Sequence, residues 1–175
     1  VADPATAPAL TQAQLEALGV DFGADVPSAQ TLVLINDALV ALGGVVSPDA
    51  LQATADAVKA LEAYVADPLT APELTVEQLA ALGVAGVTAG TVGLINEAIA
   101  AEGGVNGAIR DASQALGAHL ADPVGTPALT QAQLETLGAD FGANVPSAQT
   151  LQLINNAIIA QHGAESSADL QATVD

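Results

Sequence analysis

The side chains best suited to chemistry in this chain are carboxylates that recur in one tripeptide. Ala-Asp-Pro occurs three times, and its aspartates are Asp3, Asp67 and Asp122. Carboxylate oxygens are calcium ligands, and a calcium ion takes about six to eight oxygens. An Asp before a Pro also forms turns. The motif therefore has two interpretations: a turn that sets the angle between structural units, or a calcium site at each junction.

Two further oxygen-bearing pairs flank a glycine turn. They are Asp21 with Asp25, and Asp140 with Asn144. Their spacing does not alternate as in the recognised calcium-binding loop. We therefore expect these side chains to bind turn backbone, and calcium binding here is the alternative.

The other reactive side chains are scarce. The chain has no Cys, and His119 and His162 are its only imidazoles. Neither has a nearby carboxylate and Ser in an evident catalytic constellation, and no Gly-rich stretch has the spacing and Lys of a phosphate loop. The sequence therefore predicts no enzymatic activity and no resident cofactor.

The charge balance excludes one class of partner. Lys59 and Arg110 are the only basic residues against 20 acidic ones, which gives a net charge of -18. Two cations cannot neutralise a phosphate backbone, so nucleic acid is not expected as a partner. The long uncharged run 141–164 contains Pro146, Asn155 and Asn156, which are costly in lipid, so we also expect no membrane insertion.

The chain is built from three copies of one unit. Residues 10–36 (LTQAQLEALGVDFGADVPSAQTLVLIN) recur almost unchanged at 129–155, and a shorter relative occupies 74–96. The Ala-Asp-Pro motif precedes each copy. We place the repeats at 1–65, 66–120 and 121–175, with the middle one shortened and the third helix of the last one truncated.

Each unit contains the start and stop signals of three helices. Thr11 and Gln14 fit a capping box, and Gly19 is suited to end that short helix. Ser28 is the expected N-cap of a second helix, and Ser47 followed by Pro48 that of a third. Single apolar stripes mark the longer helices, and no segment has strand character. The predicted fold is all-α, a tandem array of small three-helix bundles.

Two groups of residues are assigned structural roles. The amides that recur in the middle of the second helix are expected to bind loop backbone and hold the bundle together, with a ligand contact as the alternative; they are Asn36, Asn96 and Asn155. The prolines of the junction motif are expected to stiffen it; they are Pro4, Pro68 and Pro123.

The ends of the sequence align with parts of a repeat. Residues 1–4 align with the end of a third helix, and residues 170–175 align with 51–56. We therefore expect a window on a longer array, in which neighbouring repeats or other copies of the chain complete the missing pieces.

The order of elements resembles the albumin-binding GA-type three-helix module of bacterial surface proteins. The likeness rests on the Leu-x-x-Leu-Gly that closes helix one, the Ile-Asn pair of helix two and the Leu-containing third helix. The Ala/Val/Asp/Gly-rich, Cys-free composition also resembles repeat regions of large secreted adhesins and surface-layer proteins. These resemblances imply an extracellular, cell-surface setting. They imply a stalk, fibre or self-assembling segment or, alternatively, a module that binds a protein through helices two and three.

Overall fold

The computed structural model describes residues 8–24, 26–44, 47–143 and 145–175. These residues form nine α-helices and no strand, so the predicted all-α class is confirmed. The helices are α1 (Gln12–Ala17), α2 (Ala29–Ala41), α3 (Pro48–Ala66), α4 (Val76–Ala81), α5 (Val92–Glu102), α6 (Gly107–Ala121), α7 (Gln131–Thr136), α8 (Ala148–Ala160) and α9 (Ser167–Val174).

The short helices α1, α4 and α7 each begin with the predicted capping box. In α1 the Gln14 backbone N–H donates to the Thr11 hydroxyl, and the Thr11 N–H donates to the Gln14 side chain. The helix then ends before Gly19, whose φ of 104° is a left-handed conformation that costs a glycine least. Local sequence therefore determines both ends of the helix.

The third helices of the first two repeats, α3 and α6, differ in length but keep their apolar stripe on the same side. Ser47 caps α3 as predicted and accepts a hydrogen bond from the Ala50 N–H, with Pro48 in the first turn. The helix α3 has 19 residues and α6 has 15. A difference of four residues is close to one helical turn, so the apolar stripe still points the same way after the deletion.

The chain divides into two compact units, residues 1–83 and 84–175. In the first unit α3 packs on both α2 and α4. The core of this unit is aliphatic and includes Leu15, Ile35, Val58, Leu61 and Leu79. Burial of these side chains is the main source of its stability.

The second unit has the same kind of core. Here α6 packs on α5 and α7, and α9 packs on α8 and α5. Its buried aliphatic residues include Ile95, Ile99, Ile109, Leu134 and Ile158. Small residues such as Ala98 and Ala112 are also buried, which lets the helices approach closely.

The compact units and the sequence repeats divide the chain differently. The short helix α4 begins the second repeat but packs on α3, the last helix of the first repeat. In the same way α7 begins the third repeat and packs on α6 of the second. Each of these short helices therefore contacts the third helix that precedes it in the chain.

None of the helices in the described ranges combines the length and apolar character needed to span a bilayer.

Candidate functional sites

The recurring amide of the second helix binds the backbone just before the short helix. In the first repeat Asn36 Nδ2 donates to the Leu10 carbonyl at 3.0 Å, and Asn36 Oδ1 accepts from the Leu10 N–H at 2.6 Å. Asn36 Nδ2 also donates to the Leu32 carbonyl one turn earlier in α2. The side chain thus ties the entry of α1 to the middle of α2.

The third repeat has the same arrangement in a more buried position. Asn155 Oδ1 accepts from the Leu129 N–H at 2.8 Å, and Nδ2 donates to the carbonyls of Leu129 and Leu151 at 3.1 and 2.8 Å. In the middle repeat Asn96 is buried and donates to the Val92 carbonyl at 2.9 Å. These contacts are those of a structural amide that satisfies backbone groups.

The junction aspartates bind the turns that follow them. Asp67 follows α3, and its Oδ2 accepts from the Thr70 hydroxyl at 2.6 Å. Asp122 follows α6, and its Oδ1 accepts from the Gly125 N–H at 2.9 Å. Both residues have non-helical backbone, with φ and ψ of -151° and 80° at Asp67 and of -143° and 82° at Asp122. The proline that follows each of them disfavours helical angles at this position. Asp3 and Pro4 lie outside the described residues.

The calcium interpretation of Asp67 and Asp122 requires further oxygen ligands close to these carboxylates. Within residues 8–24, 26–44, 47–143 and 145–175, no three His, Cys, Asp or Glu side chains come together as a metal site would require. The carboxylates of the other predicted pairs bind turn backbone, since Asp21 Oδ1 accepts from Gly23 N–H and Asp140 Oδ1 from Gly142 N–H, each at 2.7 Å. Asp25 and Asn144 lie outside the described residues.

A contact that sequence reasoning missed holds the loop after each short helix. Gln52 of α3 binds both backbone groups of Asp21, donating to its carbonyl at 3.1 Å and accepting from its N–H at 2.7 Å. Gln171 of α9 does the same for Asp140 at the same distances. The Leu-Gln-Ala-Thr string shared by residues 51–54 and 170–173 was the available signal.

The middle repeat holds its shortened loop by different chemistry. The Ser113 hydroxyl of α6 donates to the Ala85 carbonyl at 2.8 Å. Ala85 occupies the position that Asp21 has in the first repeat. The loop then lies directly on α6, because a Cβ on Gly86 would meet the Ser113 carbonyl oxygen at 2.6 Å. Gly117 of α6 faces the backbone of Gly86 in the same contact.

Repeats two and three contact each other within the second unit. The first backbone N–H of α9, that of Ser167, donates to Glu97 Oε2 of α5 at 2.6 Å. A carboxylate at a helix N-terminus interacts favourably with the helix dipole. A Cβ on Gly93 would lie 2.5 Å from the Glu165 carbonyl oxygen, so a larger residue at this position of α5 would require the backbone to shift. Neighbouring repeats therefore share polar and backbone contacts here.

His119 is the one buried imidazole of the described chain. It is 4% exposed near the end of α6, where the first repeat has Tyr64. Its Nδ1 lies 3.5 Å from the Thr126 hydroxyl, and its Nε2 has no hydrogen-bond partner. The sequence did not predict a buried ring with one unsatisfied nitrogen at this position.

The unsatisfied nitrogen gives a stability prediction. We expect His119→Phe to raise the free energy of unfolding by about 1 kcal/mol, because it removes a buried polar atom that lost its water on folding. Thermal unfolding followed by circular dichroism measures the change. The control is Tyr64→His, which places an imidazole at the equivalent position of the first repeat and should lower stability. Destabilisation by His119→Phe would show that Nε2 is satisfied in solution.

One carboxyl group has a shifted pKa. Glu77 lies in the first turn of α4, where hydrogen bonds from its own backbone N–H and from the Thr75 hydroxyl hold its pKa below the ordinary value. A lowered pKa means that the ionised form stabilises the folded chain at neutral pH. This contribution is lost as the pH falls through the folded-state pKa.

The first unit also contains a groove between α3 and the loop that leads into α2, with a volume of about 340 Å³. Both apolar and charged side chains line the groove, which suits a ligand surface that is partly apolar and partly charged. Its lining residues include Phe22, Val26, Thr31, Gln52, Lys59 and Glu62. Thr31 Oγ1 donates to Glu62 Oε1 at 2.9 Å across the groove.

Comparison with protein-family models, with curated proteins and with solved structures gives no match to this chain.

Proposed function

We propose that this chain is a structural repeat segment of a bacterial extracellular stalk, fibre or surface-layer protein. It acts as a spacer or as a self-assembling subunit built from tandem three-helix bundles. The observation that carries the proposal is the packing of α4 on α3 and of α7 on α6. A short helix that packs on the preceding repeat makes consecutive repeats share a core, which is typical of a repeat array.

The junctions support a mechanical role. Asp67 and Asp122 end their helices and bind the following turn, while Pro68 and Pro123 restrict the backbone that leaves it. A connection that is short, hydrogen-bonded and restricted by proline transmits orientation better than a flexible linker does. We therefore expect these junctions to restrict the path of the chain from one repeat to the next.

Small-angle X-ray scattering with light scattering tests this proposal. A compact domain of this length has a radius of gyration of about 16 Å. A spacer should be a monomer with a clearly larger value, and a self-assembling subunit should form ordered larger species. A compact monomer with a radius near 16 Å would overturn the proposal.

Measurement with calcium and with chelator tests the second interpretation of the junctions. We expect the same scattering curve in both, because the Asp67 and Asp122 carboxylates bind their own turns. A calcium-dependent change that disappears in Asp67→Asn and Asp122→Asn would instead assign the metal to the junctions.

The groove of the first unit favours a second candidate function, a GA-type protein-binding module. The groove is lined by α3, which is helix three of the first repeat, by the loop before helix two and by Thr31 in the first turn of helix two. Half-buried Phe22 and exposed Val26 give it an apolar wall. A protein partner would use this wall as its anchor.

Surface plasmon resonance with serum albumin tests the second candidate. Binding that is lost in Phe22→Ala and retained in Phe141→Ala, the same change in the third repeat, would support it. Absence of binding, or equal loss in both variants, would count against the groove.

A further inference from the structure

The three short helices occupy equivalent positions in their repeats but differ in burial at one face. The residue before the closing glycine is a leucine in each: Leu18, Leu82 and Leu137. Leu82 is 2% exposed and Leu137 is 1% exposed, whereas Leu18 is 51% exposed. The leucine that precedes the helix follows the same trend, because Leu74 and Leu129 are buried and Leu10 is not.

The difference comes from the neighbour and not from the sequence. Residues 10–18 and 129–137 differ only at Ala17 and Thr136. The helix α7 packs on α6, and α4 packs on α3, which in both cases is a third helix followed by Asp-Pro. We call the half-covered surface formed by Leu10 and Leu18 the open α1 face.

We propose that the open α1 face is a docking surface for the third helix of another repeat of this kind. The inference rests on the proposed function, because it names how one segment of the array joins the next. The occupant is identified by the two internal copies of the interface, where a third helix, α3 or α6, packs on the equivalent short helix. Continuity with these interfaces predicts the same side-by-side packing.

A second copy of this chain does not supply that helix. Its α3 is already covered by α4 and its α6 by α7. Its α9 packs on both α8 and α5. The partner is therefore a repeat whose third helix is uncovered.

Single thiols can measure the covering directly, because the natural chain has no Cys. The test chain carries Leu18→Cys and an extension in which residues 29–66 are repeated immediately before Asp3. This places a second α2–α3 pair ahead of α1 in the register that joins Ala66 to Asp67. The reaction rate of the thiol with a neutral maleimide reports whether the face is covered.

We expect the extension to slow the reaction at Leu18→Cys by about tenfold or more, since a covered thiol reacts only when the contact opens. The matched control is Leu69→Cys, which starts from a residue 95% exposed and should react at the same rate with and without the extension. Leu82→Cys marks the slow limit of a leucine that is already covered.

An unchanged rate at Leu18→Cys in an extension that is helical by circular dichroism would overturn the docking proposal. That result would leave the proposed function standing if scattering still shows an elongated monomer. Protection of Leu18→Cys by the extension, in a chain that scatters as a compact particle, would support the docking proposal and overturn the proposed function. Self-association of the unextended chain that protects Leu18→Cys would identify a second copy as the occupant and would also overturn the proposal.

Discussion

Replacement of Gly117 by alanine should lower the free energy of unfolding of the second unit by about 1–3 kcal/mol, the usual range for overpacking. A Cβ at this position of α6 would overlap the Cα and carbonyl of Gly86. Both are backbone atoms, so no flexible side chain can move away. Alanine is the better helix former by about 1 kcal/mol, so a loss of stability reports the close approach and not helix propensity.

The matched control for Gly117→Ala lies in the same helix. A Cβ on Gly107 meets nothing within 4 Å, so Gly107→Ala should leave stability unchanged or raise it by up to about 1 kcal/mol. Urea denaturation of both variants, followed by circular dichroism, gives the comparison. Equal effects of the two substitutions would show that the loop does not rest on α6 through Gly86.

Local signals in the sequence predicted the helices and their ends. Thr11 with Gln14 gave the capping box, and Ser47 with Pro48 gave the start of α3. Such signals work because each depends on hydrogen bonds and backbone preferences within one turn of helix. They carry the same information in every copy of the repeat.

Partners that are distant in the chain could not be predicted in this way. Gln52 and Asp21 are 31 residues apart, and the amide of Gln52 binds the loop only because α3 packs beside it. The Ser113 hydroxyl binds the equivalent carbonyl in the middle repeat with a different side chain. A periodic apolar stripe shows that a helix has a buried face, but not which helix covers it.

The packing of α4 on α3 shows the same limit at the level of the repeats. Self-similarity gives the length of a repeat but not where one structural unit ends, since any starting point along a periodic sequence is equivalent. Placing a boundary at 65/66 separates α3 from the α4 that packs on it. The helix contacts, which sequence similarity does not contain, decide which elements form a core together.

The amides of the second helix lie between these two cases. Their recurrence beside a buried isoleucine predicted that Asn36, Asn96 and Asn155 would need partners. The particular partner, the residue just before the short helix, comes from the way the chain enters that helix. In the third repeat this residue is Leu129, whose N–H and carbonyl both bind Asn155.

Asn155→Leu should therefore lower the free energy of unfolding by about 2–6 kcal/mol. It leaves both backbone groups of the buried Leu129 without a partner, and each such group costs roughly 1–3 kcal/mol. The same change at the half-buried Asn36 should have a smaller effect, since water can reach the freed groups of Leu10.

The control is Asn156→Leu, one residue further along α8 and exposed, which should change stability by less than about 0.5 kcal/mol. Urea denaturation of the three variants measures the order Asn155, Asn36, Asn156. Equal losses at Asn155 and Asn156 would mean that the amide does not hold the entry of α7, and a larger loss at Asn36 would mean that burial does not set the strength of the contact.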